Sequence, residues 1–173
     1  MVTSAVNPAP AAAAGADAYL SVRTKRAGEL KGEVSAKGHE NSIEVHGFQF
    51  GVAASSAIGS GQATSRRQYK HLVVTKRLDS SSTSLMSALA TNDEVKELKL
   101  ALRKHGGSPE DFFTITLSAA RVVGVDLEFD ASGEAVERAA FAFTKIDVEY
   151  RVQGADGILG AASTFTDELL ASA

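Results

Sequence analysis

The sequence predicts a mainly β protein, built as a two-sheet β-barrel or sandwich with one short flanking α-helix. Most apolar residues recur with a period of two, as in strands that bury one face. Two of these runs change phase midway, as strands with a bulge do. Only one segment combines helical spacing with a clear helix start. With 173 residues, the chain is expected to form one main domain, residues 19–173, after a flexible Ala- and Pro-rich arm, residues 1–18.

The first phase change lies between residues 43 and 52. Apolar residues alternate in one phase before Gly47 and in the other phase after it; they are Ile43, Val45, Phe48, Phe50 and Val52. One extra residue at Gly47 would place all five on one face, and glycine suits a bulge. The opposite face would then present Glu44, His46 and Gln49, which are polar.

A long segment rich in Gly, Ser and Ala follows at residues 53–66. Connections of that length are usually functional or disordered. A strand over residues 68–77 comes next, and Asp79 with the serines after it predicts the start of a helix. Leu85 and Leu89 have helical spacing, and the helix is expected to end near Thr91.

Residues 93–104 fit two structures. Val95, Leu98 and Leu102 have helical spacing, whereas Leu98, Leu100 and Leu102 alternate as in a strand. Propensity favours the helix, because Glu, Lys, Leu and Ala are good helix formers.

The last third of the chain predicts further strands at residues 112–123, 123–129, 139–152 and 158–165. Phe141 and Phe143 alternate in one phase, and Ile146 and Val148 resume in the other. A second bulge near Thr144 and Lys145 accounts for this change.

Composition excludes several classes of protein. The net charge of −3 argues against a nucleic-acid partner, since such domains usually carry a basic excess. The absence of cysteine excludes disulfides, thiolate metal sites and cysteine nucleophiles. No apolar run approaches the ~18 residues that span a bilayer, so direct membrane insertion is not expected. The N-terminal arm has no basic residue before Arg23 and no hydrophobic stretch, unlike a cleaved signal peptide.

The sequence contains no recognisable catalytic motif, and we predict neither an enzyme nor a cofactor. The four histidines, His39, His46, His71 and His105, lack the spacing of a metal site. Two acidic pairs, residues 126/128 and 167/168, are interpreted as solvated surface. The basic residues at 66–71 are interpreted as a salt-bridged edge or interface.

Several segments together resemble the haemolysin-coregulated protein (Hcp) family of type VI secretion tube proteins. They are Ile43-Glu44-Val45 with Phe48-Gln49-Phe50-Gly51, residues 72–82 leading into the helix, Leu102-Arg103-Lys104-His105-Gly106-Gly107, residues 112–120, and residues 141–150 with Asp156-Gly157. They occur in the family's order from about Tyr19 to Phe165. The early Gly-Glu-Ser turn of the family is matched less closely, at residues 32–35.

The resemblance implies a protein that is made in the bacterial cytoplasm and secreted without a cleaved signal peptide. It implies homohexameric rings that stack into a tube, a contractile sheath that expels the tube, a spike protein at its tip and small effectors inside it. It also implies that residues 93–104 form a strand. Glu44, His46 and Gln49 would then suit the lumen. Without the resemblance, the solvent side of a sandwich is the favoured explanation, because half-solvated antiparallel sheets are common.

The long segment suits contact between stacked rings, although a disordered loop tip is an equal alternative. The residues predicted for this contact are Ser55, Ser56, Gly59, Ser60, Gly61 and Gln62. Two other functions remain open. One is the tube subunit of a related contractile injection particle or phage-like tail. The other is a monomeric ligand-binding β-sandwich, which the low aromatic content of 6% and the absence of Trp disfavour for sugars.

Overall fold

The computed structural model describes residues 15–54, 67–105 and 109–169. Within these residues it contains eleven strands and one helix. They are β1 (Ala16–Thr24), β2 (Ile43–Val45), β3 (Gly47–Gln49), β4 (Val52–Ala54), β5 (Arg67–Tyr69), β6 (Leu72–Arg77), α1 (Ser81–Ala90), β7 (Val95–Lys104), β8 (Asp111–Phe129), β9 (Ala135–Ala142), β10 (Lys145–Gln153) and β11 (Leu159–Glu168). The prediction of a mainly β fold with one short helix is confirmed.

Nine strands form one antiparallel sheet system. Its main path runs in the order β2-β1-β7-β8-β9-β6-β3, and β10 branches from β8 and carries β11 as an edge. The two ends of the path, β2 and β3, are neighbours in the chain and are separated only by His46. The remaining two strands, β4 and β5, form a separate two-stranded ribbon.

Strand β8 connects the two halves of this system. Its first half pairs with β7 on one side and β10 on the other, and its second half pairs with β9. Between the halves Ala119 has a φ of 46°, a left-handed conformation that costs a non-glycine residue about 1–2 kcal/mol. The buried positions shift there from Ile115 and Leu117 to Ala120 and Val122. The strand therefore bends and keeps its apolar side inward on both halves.

The core lies between the inner faces of the strands and α1. Its largest inaccessible apolar side chains come from seven strands and the helix; they are Leu20, Ile43, Leu72, Leu85, Leu98, Leu100, Ile115, Leu117, Phe141 and Ile146. Burying such side chains is the main stabilising contribution to a fold of this size.

The first predicted bulge is present, one residue earlier than expected. The His46 N–H donates to the Thr75 carbonyl at 2.8 Å, while Gly47 is the ladder partner of the same Thr75. Two residues thus oppose one, which defines a bulge. Val45 is buried before the bulge and Phe48 packs against the core after it.

Val52 departs from the predicted pattern, because its side chain is 52% exposed. The prediction that it shares a face with the core residues is wrong. Strand β4 pairs only with β5, so Val52 has already left the main sheet system.

The second predicted break is also present and is larger than one residue. Strand β9 ends at Ala142 and β10 begins at Lys145, and both pair with β8. The break lies opposite the bend of β8, since Ala142 pairs with Arg121 and Lys145 pairs with Ser118.

Residues 95–104 form strand β7, so the helix that propensity favours is wrong and the strand that the resemblance implies is confirmed. The strand lies between β1 and β8, and Leu98 and Leu100 are fully buried. Tertiary burial outweighs the modest preference of Glu, Lys and Leu for a helix. At the other end of the chain, β1 begins at Ala16, so its first residues fall within the predicted arm.

Helix α1 begins where the sequence predicts. The Asp79 carboxylate accepts a hydrogen bond from the Ser81 N–H at 2.8 Å, and the Asp79 N–H donates to the Ser82 hydroxyl at 3.1 Å. These bonds satisfy backbone groups that a helix start leaves without partners.

A buried ion pair anchors this helix start to the sheet. The Lys76 ammonium lies 2.8 Å from the Glu137 carboxylate and 2.9 Å from the Asp79 carboxylate, and it also donates to the Ser82 hydroxyl at 3.1 Å. The side chains of Lys76 and Glu137 are inaccessible to solvent. The Ser82 hydroxyl donates to the same Glu137 oxygen at 2.5 Å, which leaves the second Glu137 oxygen without a partner in the structure.

A loop between β1 and β2 packs closely on β2 through Gly32. The Gly32 N–H donates to the Asn41 carbonyl at 2.7 Å. A Cβ at this position would lie 2.3 Å from the Ser42 carbonyl oxygen and 2.7 Å from the Ile43 Cα. Gly47, by contrast, has open space where a Cβ would be. The close approach therefore needs glycine at position 32, whereas the bulge does not need it at position 47.

Lys76→Met is expected to lower the free energy of unfolding by about 3–5 kcal/mol, because it leaves the Glu137 carboxylate buried and unpaired. The double variant Lys76→Met, Glu137→Met should recover most of this loss, since it removes both fully buried charges and leaves only the Asp79 carboxylate, which still accepts hydrogen bonds from Ser81. Urea denaturation of both variants measures the difference. The exposed Lys99→Met serves as a control and should stay within about 0.5 kcal/mol of the parent. A double variant as unstable as the single one would contradict the assignment.

Gly32→Ala is expected to destabilise the chain by about 1–3 kcal/mol, because the added methyl group meets backbone atoms that cannot move aside. Gly47→Ala is its matched control and should change the free energy of unfolding by less than about 0.5 kcal/mol. Denaturant unfolding of the two variants side by side checks this. Equal losses would mean that the loop does not approach β2 as described.

Candidate functional site

The three polar residues predicted for a functional face are all exposed, on both sides of the bulge. Glu44 lies on β2, His46 lies in the break and Gln49 ends β3. Glu44 and His46 line a hollow of about 300 Å³ together with residues that include Glu33 and Arg77. Gln49 does not line this hollow. The structure therefore brings Glu44 and His46 together and places Gln49 on the adjoining sheet.

Gln49 belongs to the solvent-side face of strands β3, β6, β9 and the second half of β8, here called the polar sheet face. Its first row across the strands is Gln49, Val73, Ala140 and Gly124, and its second row is Gly47, Thr75, Arg138 and Asp126. The residues that alternate with these, such as Val74 and Phe141, are buried. The side chains next to Gln49 in its row are small.

The charges on the polar sheet face are largely paired. The Arg138 guanidinium donates to the Glu128 carboxylate at 3.0 Å, and Asp126 is the ladder partner of Arg138. Such exposed pairs contribute little stability but leave a well-hydrated surface. The interpretation of Asp126 and Glu128 as solvated residues agrees with this arrangement.

The chemistry available on these surfaces is hydrogen bonding and charge. In the three described ranges, no group of three or more His, Asp and Glu residues is placed to hold a metal ion. Helices long and apolar enough to cross a membrane are likewise absent from residues 15–54, 67–105 and 109–169. The six residues predicted for ring stacking, from Ser55 to Gln62, lie outside the described residues.

Two polar features of the structure are among those that sequence reasoning missed. One is the buried Lys76–Glu137 pair; both residues occupy inward positions, after Leu72 and Val74 in β6 and before Ala139 and Phe141 in β9. This alternation was a usable signal. The other is a polar groove of about 900 Å³ on the outside of β7, β8, β10 and β11. Its walls combine acidic, basic and threonine side chains, and no signal in the sequence joins these distant strands.

The ribbon of β4 and β5 is held to the end of β11 by one carboxylate. Asp167 accepts hydrogen bonds from the Arg67 guanidinium and from the Tyr69 hydroxyl. These bonds lower the pKa of Asp167 from 3.8 to about 2. The interpretation of the basic residues as a salt-bridged edge is confirmed for Arg67. The interpretation of Asp167 as a solvated acid is wrong, because its carboxylate is half-buried and bonded to Arg67 and Tyr69.

Comparison with known proteins identifies the family. Residues 19–150 match the family model described as "Type VI secretion system effector, Hcp". The "Major exported protein" of Pseudomonas aeruginosa strain PAO1 is 27% identical over 158 residues, which cover 81% of this chain and 92% of that protein.

Solved structures show the same fold. A "type six secretion system protein" superposes with a TM-score of 0.80 at 24% identity, covering 90% of this chain and 96% of that one. A double mutant of Hcp1 from E. coli EAEC 042 superposes with a TM-score of 0.71 at 21% identity, covering 89% and 99%.

These comparisons do not favour the alternatives of a phage-like tail subunit or a monomeric ligand-binding sandwich. The matched family is described as a secretion family. The prediction of a secreted tube subunit of the type VI secretion system is confirmed, and this chain belongs to the Hcp family.

Proposed function

We propose that this chain assembles into homohexameric rings, that the rings stack into the secretion tube, and that a contractile sheath expels this tube with a spike protein at its tip. In this proposal the strand path closes into a barrel through the bulge between β2 and β3. The tube domain comprises residues 19–173 together with the first residues of β1, which begins at Ala16, and the rest of residues 1–18 form an arm. The protein leaves the bacterial cytoplasm without a cleaved signal peptide, carries small effectors and catalyses no reaction.

The observation that carries the ring is a pair of exposed apolar surfaces on two hairpins. On β10 the inward side continues from buried Ile146 to Tyr150 and Val152, which are 45% and 59% exposed, and Phe165 of β11 lies beside it. This first apolar surface extends beyond the core. Exposed apolar patches of this kind mark interaction sites on soluble proteins.

The second apolar surface lies at the far end of β8. On the side that carries buried Ala139 and Glu137 in the partner strand, Leu127 and Phe129 are 52% and 74% exposed. The first surface lies on a hairpin that pairs with the first half of the 19-residue β8, and the second lies at the end of β8 itself. Two different patches at opposite ends favour head-to-tail contact, which closes into a ring when the rotation allows.

The polar sheet face is the surface we assign to the lumen, with Gln49 on its first row and Glu44 and His46 on the neighbouring hollow. A hydrated face with small neighbours leaves room for cargo. Ring stacking is assigned to the segment between β4 and β5, including Ser55, Ser56, Gly59, Ser60, Gly61 and Gln62. What supports this assignment is its position between the two strands of a ribbon that leaves the main sheet system.

Val152→Glu and Phe129→Glu are each expected to abolish rings while leaving the chain folded, because each places a charge in one of the two apolar surfaces. Negative-stain images and sedimentation velocity measure the rings. The unmodified protein should show hexameric rings. Ala162→Glu, on the opposite side of β11 beside Arg151, is the control and should still form rings.

Mixing the two variants tests the direction of the contact. Each variant keeps one intact surface, so head-to-tail contact predicts a heterodimer in the mixture and none in either variant alone. Homodimers of the separate variants would show that each surface meets its own copy and would contradict the ring geometry. A parent that stays monomeric at high concentration would overturn the proposal of rings.

Gln49→Arg is expected to preserve rings but to reduce the amount of small protein that copurifies with them, because six added charges would crowd the lumen. The exposed position should keep the change in unfolding free energy within about 0.5 kcal/mol. Mass spectrometry of the ring fraction measures the copurifying protein. Ser87→Arg, on the exposed side of α1, adds the same charge away from the polar sheet face and should have no effect. Loss of rings in Gln49→Arg would place this residue at a subunit contact instead.

A further inference from the structure

The ribbon of β4 and β5 is joined to the rest of the described structure in an unusual way. Its own ladder pairs Val52 with Tyr69, Ala53 with Gln68 and Ala54 with Arg67. Among the described strands, no other pairs with either member of this ribbon. An isolated two-stranded hairpin is only marginally stable in water. One backbone hydrogen bond, from the Lys70 N–H to the Gly51 carbonyl at 2.8 Å, lies between the ribbon and the β3–β6 pair. Beyond that link, the direction of the ribbon depends on side-chain contacts at its base.

The first of these contacts is a carboxylate clamp. The Arg67 Nη2 donates to Asp167 Oδ1 at 2.5 Å, and the Arg67 Nε donates to Asp167 Oδ2. The Tyr69 hydroxyl donates to the same Oδ2 at 2.5 Å. Both inward-reaching residues of β5 thus converge on one side chain of β11. Two-pronged bonds between Arg and a carboxylate fix orientation as well as distance.

The second contact is a cluster of three aromatic rings. The Tyr69 ring meets the Phe143 ring edge-on at 5.5 Å between centroids and lies beside the Phe50 ring at 6.1 Å. Phe50 and Phe143 are 6.0 Å apart. Phe143 lies in the break between β9 and β10, so the cluster ties the ribbon to the bent part of the sheet system.

The carboxylate itself is rigidly placed. Asp167 is the ladder partner of Ile146, which is fully buried. Just beyond it, the Leu169 N–H donates to the Thr144 carbonyl at 2.7 Å. The clamp therefore joins the ribbon to a part of β11 that the core and the β9–β10 break hold in place.

The charge of the clamp persists across physiological pH. Hydrogen bonds from Arg67 and Tyr69 lower the pKa of Asp167 to about 2, while burial and the neighbouring Asp167 raise the pKa of Tyr69. Because the pKa of Asp167 is lower in the folded chain than its usual 3.8, its contribution is complete above pH 4 or so and is lost as the pH falls toward 2. The ion pair between Arg67 and Asp167 is therefore present throughout the physiological pH range.

We propose that Asp167 is the positioning residue of the ribbon, and that stacking of one ring on another requires the direction in which this clamp holds β4 and β5. This inference rests on the proposed function, in which the chain between these strands meets the next ring. It assigns to the last described strand a role in contact between rings, in addition to its place beside the apolar surface within a ring.

The experiment compares Asp167→Asn with Glu168→Gln. Both variants neutralise one acidic residue of β11. Among the described residues, the Glu168 side chain makes no hydrogen bond or ion pair, and only its carbonyl accepts a bond from Arg67, at 3.3 Å. Hydrogen–deuterium exchange at residues 52–54 and 67–69 should accelerate in Asp167→Asn alone. Electron microscopy should show intact single rings in both variants, with the ratio of stacked to single rings falling about tenfold in Asp167→Asn, as expected from a weaker charged contact repeated around the ring.

Each other outcome contradicts a distinct part of the inference. Unchanged exchange in Asp167→Asn would show that the carboxylate does not hold the ribbon. Faster exchange with normal stacking would show that stacking does not depend on the ribbon's direction, although the ring proposal would stand. Loss of single rings would assign Asp167 to the contact within a ring. A parent that forms no rings would instead overturn the proposed function itself.

Discussion

The fold depends on one constraint, namely that strand β8 must serve two differently oriented halves of the sheet system. A straight strand of 19 residues would turn the apolar side of one half toward solvent as soon as its neighbours diverged. The left-handed Ala119 supplies the bend, and the gap between β9 and β10 lies opposite it. Such backbone strain persists only where the surrounding structure leaves no alternative. Here the buried Leu117 and Ala120 on each side of the bend provide that restraint.

Phase changes in an alternating pattern proved the most informative part of the sequence. The contrast between Val45 and Phe48, and between Phe143 and Ile146, locates two of the breaks to within a residue or two. The bend at Ala119 was not predicted, because the small alanines around it give no hydrophobic contrast. The apolar pattern of residues 95–104 fits both a helix and a strand. Their burial between strands β1 and β8 determines that they form a strand.

Sequence reasoning could predict the exposure of Glu44, His46 and Gln49, because exposure follows from alternation within one local segment. It could not predict that Glu44 and His46 share a hollow from which Gln49 is separate, which depends on how β2 and β3 diverge. Contacts between distant segments were even harder to predict from the sequence. Arg67 and Asp167 are 100 residues apart in the chain, and only the fold reveals that they meet. The buried Lys76–Glu137 pair could have been predicted, since each residue interrupts an otherwise apolar row of inward-facing positions.

The separate ladder of the β4–β5 ribbon has a consequence for how such proteins can diversify. An insertion inside a ladder shifts the pairing of every residue beyond it and exchanges the buried side for the exposed one. Length variation between β4 and β5 would leave the pairing of the other nine strands unaltered, because no backbone ladder joins them to the ribbon. Closing a longer flexible connection also adds little entropy cost. The length of this connection can therefore change without altering the rest of the fold, provided that Arg67, Tyr69 and Asp167 remain to hold the ribbon.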